Sequence, residues 1–265
     1  MTDATWYPAA GTTTGGIDGY VYNNADTVWG TIREAATGAG ASAIAGAASS
    51  TVGRADAITG GAYADPNDFI IYRGFNTIDM TTTPAAGAVF SAINWEVSSS
   101  GGYDQCEATG HGGDDDDYGY TAPCNMTGLT SENAIVAADY DHITLTPDAD
   151  EIYGPKLDNS APAGVGESND FSWDFDSDGR SAADAAVGGY FGFTIREGHD
   201  IGNGEFRHPG GSGSKYSGFG QRNTDMGGDQ YDPEMDVTYS IVTSDIQAVN
   251  GITAANGEAI NGIDF

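Results

Sequence analysis

Lysine is almost absent from this chain: two residues in 265, and nine Lys and Arg together against 39 Asp and Glu. The formal net charge is −30. A chain so short of cations has no basic patch to neutralise phosphates, which excludes nucleic acid as a partner. It also repels itself in dilute solution and folds best where salt screens its carboxylates. Scarce Lys with abundant Asp, Ala, Thr and Gly is the balance of a protein built for molar salt. Carboxylates neutralised by bound divalent cations are the alternative, and the two are compatible.

Long hydrophobic runs are missing too. None approaches membrane-spanning length, so no membrane insertion is expected. The first residues, Met1-Thr2-Asp3-Ala4-Thr5-Trp6, carry neither the basic region nor the apolar core of a signal peptide. Cysteine is limited to Cys106 and Cys124, which enclose 17 residues. Bridged, they would contribute about 3 kcal/mol on the loop-entropy model; in a cytosolic chain they would be free buried thiols. The enclosed segment, Glu107 to Pro123, is polar and Gly-rich and gives a buried thiol pair little apolar packing, which favours the Cys106–Cys124 disulfide. A disulfide without an export signal is reconciled by a virus particle, whose proteins are made in the cytoplasm and released by lysis. The expected location is therefore virion or extracellular.

What the chain does have is aromatic residues and glycine. Fourteen Tyr, ten Phe and four Trp supply a packed core. The 40 glycines lie between short β-branched and aromatic stretches, without the triplet period of collagen. The length suits one large all-β domain. Strand signals run through residues 17–33, 68–80, 88–97, 140–147, 188–201 and 232–241. In the last of these Met235, Val237 and Tyr239 alternate with Asp236, Thr238 and Ser240, as in a half-exposed strand. The strongest neighbours, 68–80 and 88–97, read as a strand pair about a turn at residues 83–87. Residues 35–61 lack large side chains and read as an excursion loop in preference to a small-residue helix, 98–133 as an insertion carrying the cysteines, and the linker after 201 as turn-rich. The fold class expected is an antiparallel β-sandwich over 1–244, with long Gly/Asp-rich loops.

Residues 245–265 differ. Asn-Gly recurs at Asn250, Asn256 and Asn261, and each pair accepts the positive φ of a tight turn. Short turns carrying Ile246, Val249, Ile252, Ile260, Ile263 and Phe265 cannot bury those side chains alone. They read as an assembly tail docking on a neighbouring subunit, or as a segment folded back on its own sandwich.

The order of local motifs carries a resemblance. Asp18-Gly19-Tyr20-Val21-Tyr22, Trp29-Gly30-Thr31-Ile32-Arg33, Arg73-Gly74-Phe75 and Ala88 to Trp95 are followed by Phe191-Gly192-Phe193, Lys215 to Phe219 and Tyr231-Asp232-Pro233. This series resembles the DNRLRE-type jelly-roll-like domains of secreted and phage structural proteins, over about residues 17–241. The sequence departs from that pattern after Phe75, where Asn-Thr-Ile-Asp-Met stands. The resemblance implies a β-sandwich used in adhesion or structural display, with no shared catalytic residues.

The sharpest chemical motif is Asp174-Phe175-Asp176-Ser177-Asp178-Gly179, followed by Asp184. Alternate carboxylates with Gly sixth are how a loop wraps oxygen ligands around Ca²⁺, so Asp174, Asp176, Asp178 and Asp184 are the candidate metal ligands. The twelfth position of an EF-hand loop is Ala185 here, and a solvated acidic loop is the competing reading. Asp114 to Asp117 read as a solvated tip. Asn125-Met126-Thr127 meets the glycosylation rule. His111, His142, His199 and His208 lack zinc spacing. His199, Asp200 and Ser217 can be drawn as a triad only as many other triples can. No catalytic residues and no enzyme are expected. The expected function is a virion structural or surface protein (turret, decoration or tail fibre) of a virus of a salt-adapted host. Its partners would be other virion proteins, further copies of itself and a host surface glycan or glycoprotein. The rival is a carbohydrate-binding or adhesive module of a cell-surface protein.

Overall fold

The computed structural model describes residues 1–8, 18–26, 28–43, 49–59, 68–104, 118–130, 134–159, 169–204, 213–222, 233–242, 248–249 and 252–253. The chain runs β1 (Thr2–Trp6), β2 (Asp18–Asp26), α1 (Trp29–Arg33), β3 (Gly40–Ala43), β4 (Ser49–Thr59), β5 (Asp68–Asp79) and β6 (Ala88–Asp104). It continues through β7 (Tyr120–Asn125), β8 (Leu157–Asp158), β9 (Asn169–Asp174), α2 (Ser177–Ala186), β10 (Tyr190–Glu197) and α3 (Gly198–Gly202). It closes with β11 (Gly213–Arg222), β12 (Glu234–Ile241), β13 (Ala248–Val249) and β14 (Ile252–Thr253).

These strands form the antiparallel β-sandwich that the alternation of large and small residues implies. One sheet is β1-β12-β6 with β9 on the far side of β6; the other is β3-β2-β5-β10-β7-β8. The β11–β4 ribbon joins them, β11 pairing with the end of β6 and β4 with the start of β5. Between the sheets lie Ile93, Trp95, Trp173, Phe175, Met235 and Val237 from the first, facing Ile78, Phe191, Phe193 and Ile195 from the second. Trp95 meets Phe193 edge to face at 5.0 Å. Each such side chain contributes on the order of 1.5–3 kcal/mol by leaving water.

The second sheet is buried on both faces. Its outer side carries Val21, Phe69, Ile71 and Phe75, covered by Trp29 and Ile32 of α1 and by Ile135, Tyr140 and Ile143. Residues 29–33, expected from their β-prone composition to continue the strand pattern, do not. They form one helical turn, because Trp29, Ile32 and Arg33 fall on one face at helical spacing and bury together.

Five other expectations are corrected. Residues 68–80 and 88–97 are strands, but β5 and β6 lie in opposite sheets, so their residues pack face to face rather than pair. The 35–61 stretch holds β3 and β4, where backbone pairing with β2, β5 and β11 outweighs the lack of large side chains. The segment after 201 likewise contains β11. Residues 140–147 form no strand: a 3-10 turn covers Ala137–Asp141, and the carbonyls beyond it serve arginines instead of a ladder. Of the stretch 98–133, β6 runs on to Asp104 and β7 is built in between β10 and β8. In β12 the expected alternation holds, Met235, Val237 and Tyr239 being buried. In the final segment, among the described residues, β13 and β14 pair with each other and with no other strand, Val249 standing opposite Ile252. Asn250, Asn256, Asn261 and Phe265 lie outside the described residues.

Candidate functional site

The four expected calcium ligands have separate occupations. Asp176 is the N-cap of α2, its Oδ1 accepting from the backbone N–H of Asp178 at 2.9 Å and of Gly179 at 3.0 Å. Asp174, on β9, accepts from the Asn94 amide at 2.9 Å. Asp184, further along α2, accepts from the Phe90 N–H at 2.7 Å. Asp178 is exposed in the first helical turn, where a carboxylate suits the helix dipole. The structure does not gather them, and among the described residues no group of three or more His, Cys, Asp or Glu stands together. The Gly179 position is dictated by packing: a Cβ there would lie 2.9 Å from Tyr153 Cβ.

Cys124 is a buried free thiol, pushed up to about 12 by burial, with Arg196 pulling the other way. Its expected partner, Cys106, lies outside the described residues, as do Asp114 to Asp117. The sequon asparagine, Asn125, is half-buried with its Nδ2 donating to Thr144 Oγ1 and Glu151 Oε1.

Sequence reasoning missed the largest polar feature. Arg73 of β5 and Arg196 of β10 stand side by side on the outer face of the second sheet and converge with Arg33 on Asp200 of α3. All four side chains are buried. Arg73 donates from Nε and Nη2 to the two carboxylate oxygens, at 2.9 and 2.6 Å; Arg196 Nε adds a bond at 2.8 Å. Other donors go to the backbone carbonyls of Arg33, Tyr140, Thr144, Leu145 and Asp200 and to the Thr146 hydroxyl. Three cations against one buried anion hold together because those carbonyls supply the missing negative partners. Burial opposes ionisation of Asp200, and the Arg196 and Arg73 guanidiniums overcome it, holding the carboxyl well below the usual range. The single sequence signal is the arginine itself, rare in this chain and set in otherwise apolar strands.

A second buried polar group lies at the end of the sandwich. Glu197, the last residue of β10, accepts the backbone N–H of His199 at 2.9 Å and meets its Nδ1 at 2.6 Å. Glu197 is also hydrogen-bonded to Ser217 of β11. Ser217 Oγ in turn accepts from Asn159 Nδ2 at 3.0 Å, and Asn159 Oδ1 accepts from Thr121 Oγ1 of β7 at 2.5 Å. Burial pushes the Glu197 carboxyl up, against the pull of His199 and Ser217. His199 and Ser217, which the sequence allowed to be drawn with Asp200, thus each bond to Glu197 instead. Asp200 belongs to the arginines.

On the surface, the outer face of the first sheet carries a shallow depression of about 510 Å³ lined by Asp3, Thr5, Asn94, Asp236 and Thr238. Its groups satisfy one another, Thr5 with Asp236 and Thr238 with Asp3. Among the described residues no helix is long and apolar enough to cross a membrane. No protein-family model matches this chain, and no curated protein sequence does.

Proposed function

We propose that this chain is a virion structural or surface protein of a virus of a salt-adapted host, displayed as a homo-oligomeric appendage. The observation that carries this reading is the partition of charge. Three of the nine cations are withdrawn into the fold to fasten α1, α3 and the 140–146 segment to one sheet, whereas of the 39 Asp and Glu only Asp139, Glu197 and Asp200 are buried among the described residues. That arrangement suits a rigid display domain in brine. The resemblance to DNRLRE-type phage domains and the separate β13–β14 pairing support a sandwich with an assembly tail. Molar mass by light scattering in molar salt, for the full chain and for one lacking residues 245–265, tests it. A trimer or pentamer reduced to monomer by the truncation is expected; a monomer in both removes the appendage.

One observation favours the adhesive module instead. Tyr20, Tyr22 and Tyr72 are half-buried on β2 and β5 with ring centroids 5.7–6.2 Å apart, the kind of surface on which sugar rings stack. Binding on a glycan panel that is lost in Tyr22→Ala would support that reading against the first.

A further inference from the structure

We infer that Ser217 and Asn159 are poised to form an intramolecular ester, closing the sandwich by a covalent link between β11 and the residue that follows β8. The inference is independent of the proposed function.

Four groups meet as this reaction requires. Ser217 Oγ is the nucleophile: it accepts from the carboxamide nitrogen of Asn159 at 3.0 Å, the atom bonded to the carbonyl carbon it attacks. The Glu197 carboxylate, hydrogen-bonded to the Ser217 hydroxyl, is the base that takes its proton. Thr121 Oγ1 donates to Asn159 Oδ1, the atom on which negative charge develops, and so acts as an oxyanion donor. His199 acts through Glu197: its Nδ1 contact and its backbone N–H hold the carboxylate in place, which makes it a positioning residue.

The step balances without oxidant or cofactor. The Ser217 proton passes to Glu197 as Oγ bonds to the Asn159 carbon, and the carbonyl electron pair moves to Oδ1. Collapse of the tetrahedral adduct breaks the carbon–nitrogen bond, and the departing nitrogen takes the proton from Glu197 and leaves as ammonia. An ester and a regenerated carboxylate remain. Thr121, Asn159, Glu197, His199 and Ser217 are each no more than 1% exposed. Water, which would hydrolyse the ester or capture the adduct, is therefore kept out. Fixed orientation in a packed interior replaces activation of the amide. Burial also raises the Glu197 carboxyl, bringing it nearer to a base that works at neutral pH.

The test is the mass of the full folded chain, followed by tryptic mapping. A product about 17 Da lighter than the sequence, the mass of the ammonia lost, is expected. Trypsin should then give residues 157–180 joined to 216–222, a link cleaved by hydroxylamine. Glu197→Gln, which keeps the packing, and Ser217→Ala should both keep the full mass. In His199→Gln the mass loss should slow and its pH profile shift, which a purely structural role would not produce. Full mass after prolonged incubation of the folded wild type would overturn the inference. So would the same mass loss without a linked peptide, which marks a succinimide at Asn159. A link from 157–180 to 74–156, the peptide carrying Thr121, would remove Ser217 as nucleophile.

Discussion

Arg73 holds the Asp200 carboxylate by both oxygens, and neither side chain reaches solvent. Asp200 is the only carboxylate among the partners of Arg33, Arg73 and Arg196 described above, so its charge answers for three guanidiniums. Asp200→Asn keeps the shape and deletes that charge, leaving buried cations uncompensated. The expected loss is about 3–5 kcal/mol, measured by urea unfolding in molar salt. Arg73→Lys should also fail, since one ammonium cannot reproduce four directed bonds to three partners. A loss under about 1 kcal/mol in Asp200→Asn would show that the carbonyls alone carry the cluster.

Acid should reveal the same pair. The folded Asp200 carboxyl lies below its unfolded value, so as pH falls the unfolded chain takes up the proton first. Its stabilising contribution is complete above the unfolded value of about 3.9 and is lost as pH drops from there towards the folded value. The stability difference between wild type and Asp200→Asn should stay level from pH 7 to about 4.5 and shrink below it. A difference that instead vanishes between pH 7 and 5 would assign the effect to another group.

The strands with period-two alternation were legible before the structure: β5, the first half of β6, β10 and β12 each carry large apolar residues on one face. The misreadings have two physical sources. Residues 29–33 and 140–147 have strand-like composition, yet both belong to the layer outside the second sheet, where Tyr140 donates its hydroxyl to Ile32 O at 2.9 Å and its carbonyl serves Arg73. Nothing local in YDHITLTP announces that its acceptors are claimed by arginines 51 and more positions away. Conversely β4 and β11 are strands through each other, far apart in sequence, and composition short of large side chains hides them. Both buried polar groups were illegible for the same reason: Arg33, Arg73 and Asp200, or Thr121, Asn159 and Ser217, meet only in space.

The Asp174 to Gly179 motif shows how a helix cap and a metal loop share a sequence. As N-cap, Asp176 needs an oxygen acceptor, and asparagine supplies one almost as well as aspartate. Asp176→Ala should cost about 1 kcal/mol, whereas Asp176→Asn should cost only a few tenths of that amount. Both values should be the same in calcium and in chelator. Thermal melts of the three proteins under the two conditions check this. Stabilisation by calcium in wild type that disappears in Asp176→Asn would restore the metal loop.

Cys124 offers a count. Its thiol is buried and its ionisation is pushed up to about 12, so almost no thiolate is present at pH 8 and no reagent reaches it. In the folded protein Cys124 should resist alkylation for hours, and in urea it should react at once. Peptide mapping after alkylation with and without denaturant, omitting reductant, gives the result for this residue alone. Failure to react even in urea until reductant is added would mean a bridge to Cys106.

Salt should act on the chain everywhere except at the arginine cluster. Burial of Arg33, Arg73 and Arg196 leaves six Lys and Arg for the rest of the sequence, against a formal charge of −30. At 1 M the screening length is about 3 Å, and at 0.01 M about 30 Å, so neighbouring surface carboxylates go from ignoring one another to repelling. The urea midpoint should therefore fall steadily as NaCl is lowered from molar to tens of millimolar, and KCl should substitute for NaCl at equal ionic strength. The stability difference between wild type and Asp200→Asn should not change along the same series, because no ion enters the cluster to screen it. Recovery of the low-salt midpoint by millimolar calcium alone would point to bound divalent cations rather than screening.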